Sequence, residues 1–239
     1  VTGAGDGIGR TAALAFAAHG ATVLLLGRTT EKLEAVYDEI LATGGPEPAI
    51  IPMDLANIQP AQIENLYEVI ASRYGRLDGM LHNASILGNR IPVEHYDPND
   101  WMRVMQVNFH SVFLLTRLLL PLLRQSKDAS LVFTSSSVGA HPRAYWGPYA
   151  VSKYAVEGLA KLLAEELENT SQIRVNIINP GATRTAMRAQ AYPHEDPATL
   201  KTPTDLTPLY LYLLGPDSYG EHGRTFTADW LSKTQPFSS

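Results

Sequence analysis

Tyr149 and Lys153 lie four residues apart on a stretch whose apolar spacing predicts a helix over 149–167. Residues four apart share one face of a helix, and the positions that continue this face are apolar. Lysine is rarely buried without a partner, so the place of Lys153 on this apolar face indicates a functional role for its ammonium group. The alternative is a lysine at a helix start whose ammonium group reaches solvent. The opposite stripe is predicted to be polar and carries Glu157, Lys161, Glu165 and Glu168.

The two side chains suit an acid/base reaction at an oxygen atom. Reduction of a carbonyl leaves an alkoxide unless a proton arrives, and a tyrosine with a pKa of about 10 is a slow donor at neutral pH. A nearby ammonium group favours the phenolate and lowers that pKa. Lys153, one helical turn from Tyr149, is therefore expected to contribute to lowering the pKa of Tyr149.

Serine and asparagine side chains are the next candidates. Ser135, Ser136 and Ser137 follow a predicted strand, and any of the three could stabilise a developing negative charge on a substrate oxygen. A serine-rich turn without this role is the alternative. Asn108 falls on the apolar stripe of a helix predicted over 100–123, where a buried amide must be hydrogen-bonded. The residues alone favour a structural hydrogen bond for Asn108 over the binding of a water molecule.

A glycine-rich segment, TGAGDGIG, lies near the start of the chain between a strand end and a helix start. Glycines let the backbone approach a pyrophosphate, and a helix N-terminus offers free N–H groups. The strict dinucleotide-binding pattern is not met, because an isoleucine stands where the third glycine would fall. A tight turn without a ligand is the other interpretation. The residues predicted to contact phosphate are Gly3, Gly5, Asp6, Gly7 and Ile8.

Strand-like and helix-like patterns alternate along the chain, which predicts an α/β fold. We expect a single-domain Rossmann-type doubly wound parallel sheet with helices on both faces, spanning residues 1–239, with a first strand that is truncated at the N-terminus. Ligands bind beyond the carboxyl ends of such strands, and a loop at 180–207 is expected to cover the substrate there. Further strands are predicted at 22–26, 49–53, 77–82, 131–134, 173–178 and 224–227, and a last helix at 209–214.

Composition excludes several classes of function. A net charge of −5 without a basic cluster argues against nucleic acid and anionic membranes as partners. The longest apolar run, 112–123, is too short and too interrupted to span a membrane. The absence of cysteine excludes disulfides and thiolate metal sites, and we expect no metal. These features predict a cytoplasmic protein with a small-molecule substrate.

The motifs described so far resemble, in their order, those of the short-chain dehydrogenase/reductase family. The resemblance covers essentially the whole chain, and LVFTSSSVG and NPGATRTAMRA are most similar to the YciK-like subgroup of bacterial oxidoreductases. It implies reduction of a carbonyl, or oxidation of the alcohol, by a nicotinamide cofactor, in a homodimer or homotetramer. The matching segments are T-G-x-x-x-G-x-G, His82-Asn83-Ala84-Ser85, Asn108, Ser136, Tyr149 to Lys153, and Asn179-Pro180-Gly181.

The resemblance also implies roles for single residues. Ser136 is the serine at the family's spacing, Asn108 would anchor a water in a proton relay, and Lys153 would hydrogen-bond the nicotinamide ribose. Together with the positive ring of the oxidised nicotinamide, Lys153 would lower the pKa of Tyr149. His82 and Ser85 depart from the family's usual asparagine and glycine. The implied cofactor contacts beyond the glycine-rich turn are Asp54, Leu55, Asn83, Ala84, Tyr149, Lys153, Pro180, Gly181 and Thr183.

The end of the second strand indicates which nicotinamide is used. Enzymes of this fold that use NAD place Asp or Glu there to bind the ribose hydroxyls, whereas this sequence has Gly27-Arg28. An arginine suits a 2′-phosphate. Asp6 stands where many NADP enzymes carry a second basic residue, which is an argument against binding of a 2′-phosphate. On balance the sequence favours NADP(H) over NAD(H).

Three other functions compete with this one. An epimerase or dehydratase with bound nicotinamide shares the Tyr/Lys pair but usually has a larger C-terminal domain. A non-catalytic dinucleotide-sensing protein would be free to lose Ser136, Tyr149 or Lys153. A hydrolase is disfavoured because no G-x-S-x-G is present. For the substrate, an apolar pocket is expected from Tyr145, Trp146, Met187 and Tyr192, or an anion site from Arg143, Arg184, Arg188 and His194.

Overall fold

The computed structural model describes residues 1–230, in which strands and helices alternate as expected. The strands are β1 Leu24–Gly27, β2 Ala49–Pro52, β3 Gly79–His82, β4 Ser130–Thr134, β5 Arg174–Asn179 and β6 Thr225–Thr227. The helices are α1 Gly7–Ala18, α2 Thr30–Ala42, α3 Pro60–Tyr74, α4 Pro98–Met105, α5 Ser111–Leu123, α6 Gly147–Leu167, α7 Ala186–Ala191 and α8 Thr207–Leu214.

The chain start joins two groups of parallel strands into one sheet. β1 pairs with β2, while β3, β4, β5 and β6 pair side by side in sequence order. Between the groups, the N–H of Leu26 donates to the carbonyl of Val1, and the N–H of Thr2 donates to the carbonyl of Leu81, both at 3.0 Å. All carboxyl ends therefore lie at one edge, and the predicted parallel sheet is confirmed.

Helices cover both faces of this sheet, which explains why its central strand β4 is apolar at successive positions. Leu131 and Phe133 of β4 belong to a core shared with α3, α5 and α6. Val132 points the other way, into a core shared with α1 and α8. The doubly wound arrangement predicted from the alternating pattern is confirmed.

The helix predicted over 100–123 is longer than expected. A π-helical turn at Gln106–His110 joins α4 to α5, so one helix runs from Pro98 to Leu123. By length and composition this 26-residue helix could cross a membrane, which the apolar run in the sequence did not suggest. Half of its most apolar window is buried inside the protein, in the same core as α3 and α6. Core packing therefore accounts for its apolar composition.

The predicted loop at 180–207 is the least regular part of the described chain. It contains α7 and two short 3₁₀ turns, Pro197–Thr199 and Pro203–Leu206. Lys201 holds its first residues, since the ammonium group donates to the carbonyl of Pro180 at 3.1 Å and the N–H of Arg184 donates to the carbonyl of Lys201 at 2.8 Å. The loop is thus fastened to the carboxyl end of β5.

Two glycines in helices predict opposite effects of the same substitution. A methyl group at Gly9 in α1 would lie 2.2 Å from the Gly3 carbonyl oxygen and 2.6 Å from Asn83 Nδ2, whereas one at Gly158 in α6 meets no atom within 4 Å. We expect Gly9→Ala to destabilise the fold by about 1–3 kcal/mol through overpacking. Gly158→Ala should stabilise it by about 0.5–1 kcal/mol, because alanine is the better helix former. Denaturant unfolding measures both, and a shift in the same direction would contradict this packing.

Candidate active site

A cavity of about 440 Å³ opens at the carboxyl edge of the sheet. Its position agrees with the rule that ligands of such sheets bind beyond the strand ends. Every residue predicted for the site lines this cavity except Asn108: Gly3, Gly5, Asp6, Gly7, Ile8, Arg28, Asp54, Leu55, Asn83, Ala84, Ser136, Tyr149, Lys153, Pro180, Gly181 and Thr183.

The glycine-rich turn is packed directly against the end of β3. Gly3 has a left-handed backbone with φ of 69°, and a Cβ there would lie 3.0 Å from the Cα of Ala84. The hydroxyl of Thr2 accepts hydrogen bonds from the N–H groups of Asn83 and Ala84, at 2.9 and 3.0 Å. The turn and the residues after β3 therefore form one rigid wall of the cavity, next to the N-terminus of α1.

One end of the cavity carries two basic side chains. Arg28 follows β1, and Lys32 in the first turn of α2 lies beside it in the cavity wall. The ammonium group of Lys32 forms a close ion pair with the carboxylate of Asp6, which also caps the first turn of α1. The hydrogen bond from Lys32 lowers the pKa of Asp6. The acidic residue that argued against a 2′-phosphate is thus paired with a base that the sequence analysis did not name.

The other end of the cavity holds the predicted catalytic side chains. Tyr149 stands in the first turn of α6 and is buried, with its hydroxyl hydrogen-bonded to Ser136. Lys153 is 3% exposed, so the predicted burial of this lysine is confirmed. Its ammonium nitrogen lies 5.7 Å from the centre of the Tyr149 ring and donates to the carbonyl oxygen of Thr134 at 2.8 Å.

The three serines after β4 have different surroundings. Ser136 lines the cavity next to Tyr149, which agrees with the serine selected by the family's spacing. Ser135 also lines the cavity, but its hydroxyl donates to Glu157 Oε1 at 2.5 Å. Ser137 is exposed and begins a 3₁₀ turn.

Glu157 is buried, and its predicted place on the solvent-facing stripe of α6 is wrong. The helix packs against β4, β5 and the turn after β4, so its buried surface is wider than one stripe. The carboxylate faces Ser135 and acts on Lys153, one turn earlier on the helix. Burial lowers the pKa of Lys153 to about 8, and Glu157 raises it in part.

The expected lowering of the Tyr149 pKa is not found in the protein by itself. Burial raises the pKa of Tyr149 above its ordinary value, and the hydrogen bond with Ser136 offsets only part of that effect. The physical reason is that a phenolate loses its hydration in this position, while the ammonium group of Lys153 is directed at the carbonyl of Thr134. Tyr149 is therefore a neutral phenol that retains its proton at physiological pH.

Asn108 lies outside the cavity wall, inside the π-helical turn. Its Oδ1 accepts from the N–H of Ile86 at 2.8 Å, and its Nδ2 donates to the carbonyl of Ile86 at 2.9 Å and to the hydroxyl of Ser152 at 3.1 Å. The structural hydrogen bonds favoured by the residues alone are thus present. They tie the segment after β3 to α6, one residue before Lys153.

His82 and Ser85, the two departures from the family pattern, have different positions. His82 is buried, its Nε2 lies 2.8 Å from the hydroxyl of Thr116, and its ring stacks on Phe133. Burial lowers the pKa of His82 to about 3, so the ring is neutral. Ser85 lines the cavity. Neither departure displaces a predicted catalytic group.

Arginine and aromatic side chains pack beside the cavity wall near Trp146 and Ala191. The guanidinium group of Arg90 lies 4.7 Å from the ring centre of Trp146 and 5.0 Å from that of Tyr192. It also donates to the carbonyl of Ala191 at the end of α7. Trp146, Met187 and Tyr192 pack in one apolar cluster with Tyr149. Arg90 therefore holds α7 against the start of α6.

Four other side chains expected near the substrate lie elsewhere. Tyr145, which has a left-handed backbone with φ of 70°, is 57% exposed and does not line the cavity. The adjacent Trp146 does line it. Arg188 lines the cavity but is paired with Glu195 at 2.5 Å, so its charge is neutralised. Arg143 reaches the hydroxyl of Tyr192 at 3.3 Å from outside the cavity, and the exposed Arg184 and His194 do not line it. The expected anion site is not assembled from these residues.

Known proteins match this fold and this site. The family described as short chain dehydrogenase matches residues 1–196. The oxidoreductase YciK of Escherichia coli strain K12 is 53% identical over 228 residues, covering 95% of this chain and 90% of that protein. The chain belongs to the short-chain dehydrogenase family. The resemblance to the family and to its YciK-like subgroup is thereby confirmed.

Solved structures of close relatives carry nicotinamide cofactors. A short chain dehydrogenase from Shigella flexneri, complexed with NADP, is 52% identical, with a TM-score of 0.93 over 96% of this chain and 95% of its own. One from Escherichia coli, complexed with NADPH, is 53% identical, with a TM-score of 0.92 over 95% of this chain and 94% of its own. As a short-chain dehydrogenase, this protein is an NAD(P)-dependent oxidoreductase with a Rossmann fold.

Sequence reasoning did not find Lys32, Glu157 or Arg90. Lys32 had a usable signal, because it stands four residues after Arg28 at the start of a predicted helix. Glu157 likewise stands four residues after Lys153, but its polar character suggested solvent. Arg90 had no signal, since its partner Ala191 is 101 residues away in the chain.

The Arg90 contacts predict how α7 is held against the start of α6. Two ring contacts and a hydrogen bond hold the end of α7, so Arg90→Ala should raise the hydrogen-exchange rate of residues 186–191 roughly 10- to 100-fold. Arg143→Ala, which removes one contact with the Tyr192 hydroxyl from outside, is the matched control and should change exchange little. Equal protection in the wild type and Arg90→Ala would show that the apolar cluster alone holds α7.

Proposed function

We propose that this protein is an NADP(H)-dependent oxidoreductase that reduces a carbonyl group, or oxidises the corresponding alcohol, with Tyr149 as general acid/base. The observation that carries the proposal is the placing of Ser136, Tyr149 and Lys153 at one end of a single cavity whose other end holds Arg28 and Lys32. Chemistry and phosphate binding therefore share one elongated site.

The residues present fit a dinucleotide phosphate. A Cβ at Gly3 would press on the Cα of Ala84, so this position requires glycine. Without a side chain there, a phosphate can approach the backbone of the turn beside the N-terminus of α1. Arg28 just before α2, together with Lys32 paired with Asp6 in its first turn, leaves a net positive charge at this end of the cavity, which suits a 2′-phosphate. The relatives complexed with NADP and NADPH support this choice of cofactor. The adenosine would lie along Asp54, Leu55 and Asn83.

Each catalytic side chain has a task that follows from its surroundings. A bound nicotinamide supplies or accepts the hydride. Tyr149 holds a proton on a buried phenol and donates it to the oxygen of the reduced carbon, whose alkoxide is far more basic. Ser136 donates a hydrogen bond to that oxygen and stabilises its developing charge. Lys153 holds the nicotinamide ribose and places a positive charge near the phenol.

The cavity favours apolar substrates. Leu87, Trp146, Met187 and Ala191 form its wall beside Tyr149, and Arg188, which also lines the cavity, is neutralised by Glu195. We expect hydrophobic or aromatic aldehydes and ketones to react better than small sugars. Monitoring NADPH absorbance across a panel of aldehydes, ketones, quinones and sugars tests both the activity and this preference. Turnover of sugars alone would refute the apolar assignment.

The basic end of the cavity predicts a cofactor preference that depends on Arg28. Loss of a hydrogen bond to a charged group costs about 1.5–3 kcal/mol, so Arg28→Ala should weaken NADPH binding roughly 10- to 150-fold. NADH affinity should stay almost unchanged, because NADH lacks the 2′-phosphate. Arg117→Ala on the exposed face of α5 is the control and should alter neither. Tighter binding of NADH than of NADPH by the wild type would refute the assignment.

The acid/base assignment predicts the effect of Tyr149→Phe. The ring and its packing remain while the transferable proton is lost, so kcat should fall by roughly 10²- to 10⁴-fold. NADPH affinity should hold within a few-fold. Lys153→Met should lower both kcat and NADPH affinity, because one ammonium group serves both. Wild-type kcat in Tyr149→Phe, with single-turnover data showing that chemistry limits the rate, would contradict the mechanism; a protein that binds NADPH but turns over nothing would be a dinucleotide sensor.

A further inference from the structure

A buried carboxylate lies next to the catalytic side chains, and the proposed mechanism gives it no task. Glu157 is 8% exposed and sits one helical turn after Lys153. A buried carboxylate is costly unless it is paired or hydrogen-bonded. The hydroxyl of Ser135 donates to its Oε1 at 2.5 Å, and Ser135 directly precedes Ser136 in the chain. The carboxylate is thus bonded to the segment that carries the substrate-binding serine.

The packing around this carboxylate has room for no larger residue at position 139. A Cβ on Gly139 would lie 2.7 Å from the hydroxyl oxygen of Ser135, 3.0 Å from Glu157 Oε1 and 3.0 Å from the Cβ of Lys153. The turn after β4 therefore approaches α6 most closely where Ser135, Glu157 and Lys153 meet. Three elements of the site share this contact.

Glu157 is also the one charged group that acts on the Lys153 ammonium within the described part of the chain. From β4, Thr134 offers a backbone carbonyl. From the π-helical turn, the nearby side chain is the uncharged Asn108, which bonds to Ser152. On α6 itself, Tyr149 is a neutral phenol. The positive charge of Lys153 is therefore balanced by a carbonyl dipole and by one carboxylate.

We propose that Glu157 is a positioning residue of the active site: its negative charge keeps the buried Lys153 protonated at physiological pH, and its bond to Ser135 fixes the segment that carries Ser136. The two tasks use different properties of one side chain. The first needs the charge, and the second needs only a hydrogen-bond acceptor. The inference rests on the proposed function for its catalytic consequence, while the charge state of Lys153 is measurable without turnover.

Two substitutions separate the tasks. Glu157→Gln removes the charge and keeps an acceptor for the Ser135 hydroxyl. Ser135→Ala removes the hydrogen bond and keeps the charge. Glu165→Gln, on the exposed side of the same helix, is the control for a general loss of negative charge. Thermal melting shows whether each variant folds, and Glu157→Ala, which also removes the charge, replaces Glu157→Gln if that variant does not fold. Glu157→Asp, which keeps the charge on a shorter side chain, is a second control.

The first readout is the titration of Lys153 in protein with ¹³C-labelled lysine, with the resonance assigned by its loss in Lys153→Met. We expect Lys153 to titrate near pH 8 in the wild type, and in Glu157→Gln its midpoint should move to lower pH by about one pH unit. In Ser135→Ala, Glu157→Asp and Glu165→Gln it should stay near the wild-type value. The pH midpoint of NADPH affinity should follow the lysine in every variant.

The second readout is the pH profile of kcat/KM on a substrate found in the carbonyl screen. The ammonium form exists below the pKa of Lys153, so activity falls as pH rises through it, and this alkaline limb should move to lower pH in Glu157→Gln alone. An unchanged lysine midpoint in Glu157→Gln, or an equal shift in Ser135→Ala, would overturn the proposal and leave Glu157 a structural role. If the Lys153 midpoint moves to lower pH in Glu157→Gln but the wild-type protein reduces no carbonyl, the proposed function is refuted and the electrostatic role of Glu157 is retained.

Discussion

The ammonium group of Lys153 is buried where β4 ends and α6 begins, and burying such a charge is costly unless acceptors surround it. The carbonyl of Thr134 and the carboxylate of Glu157 meet that need from two different elements. β4 must therefore end where its last carbonyl faces α6, and the turn after it must be narrow enough to bring Gly139 against the helix. Once these contacts form, Tyr149 and Ser136 are fixed beside each other, because each is a short distance along the chain from a residue that holds Lys153.

The sheet places a second group of site residues, the glycine-rich turn and Arg28, at the end of the cavity opposite Tyr149 and Lys153. Parallel strands place their carboxyl ends at one edge, so the glycine-rich turn, Arg28 and Ser136 all line one cavity. Thr2 connects the glycine-rich turn to the residues after β3 through two N–H groups, and Asn108 connects the next residues to α6. These hydrogen bonds, together with the short segment 84–86 between them, thus link the glycine-rich turn to the helix that carries Tyr149 and Lys153.

Interactions of another kind hold α7 against the start of α6. Arg90 contacts Trp146 and Tyr192 through their rings and Ala191 through its carbonyl, while the rest of the contact between α7 and α6 is apolar. Such contacts are individually weak compared with the buried network around Lys153. The division agrees with the proposed function, because enzymes commonly hold their reacting groups rigidly and let a surface loop open for exchange of substrate and product.

The sequence by itself determined the α/β fold, the doubly wound parallel sheet and the burial of Lys153, because apolar periodicity and glycine spacing are local properties of the chain. The family resemblance added many of the residues that line the cavity, and Arg28 predicted which end would bind phosphate. Contacts between distant segments were decided only by the tertiary structure: Asp6 with Lys32, Ser135 with Glu157, and Arg90 with Ala191. The direction of the Tyr149 pKa in the protein without cofactor was also decided by the tertiary structure: burial by surrounding segments raises this pKa, and the Lys153 ammonium group is directed at the carbonyl of Thr134. Helical spacing placed Glu157 on a polar stripe of α6. Three elements pack on this helix and widen its buried surface, so Glu157 is buried. The pattern of residues within one helix does not record how many elements pack against that helix.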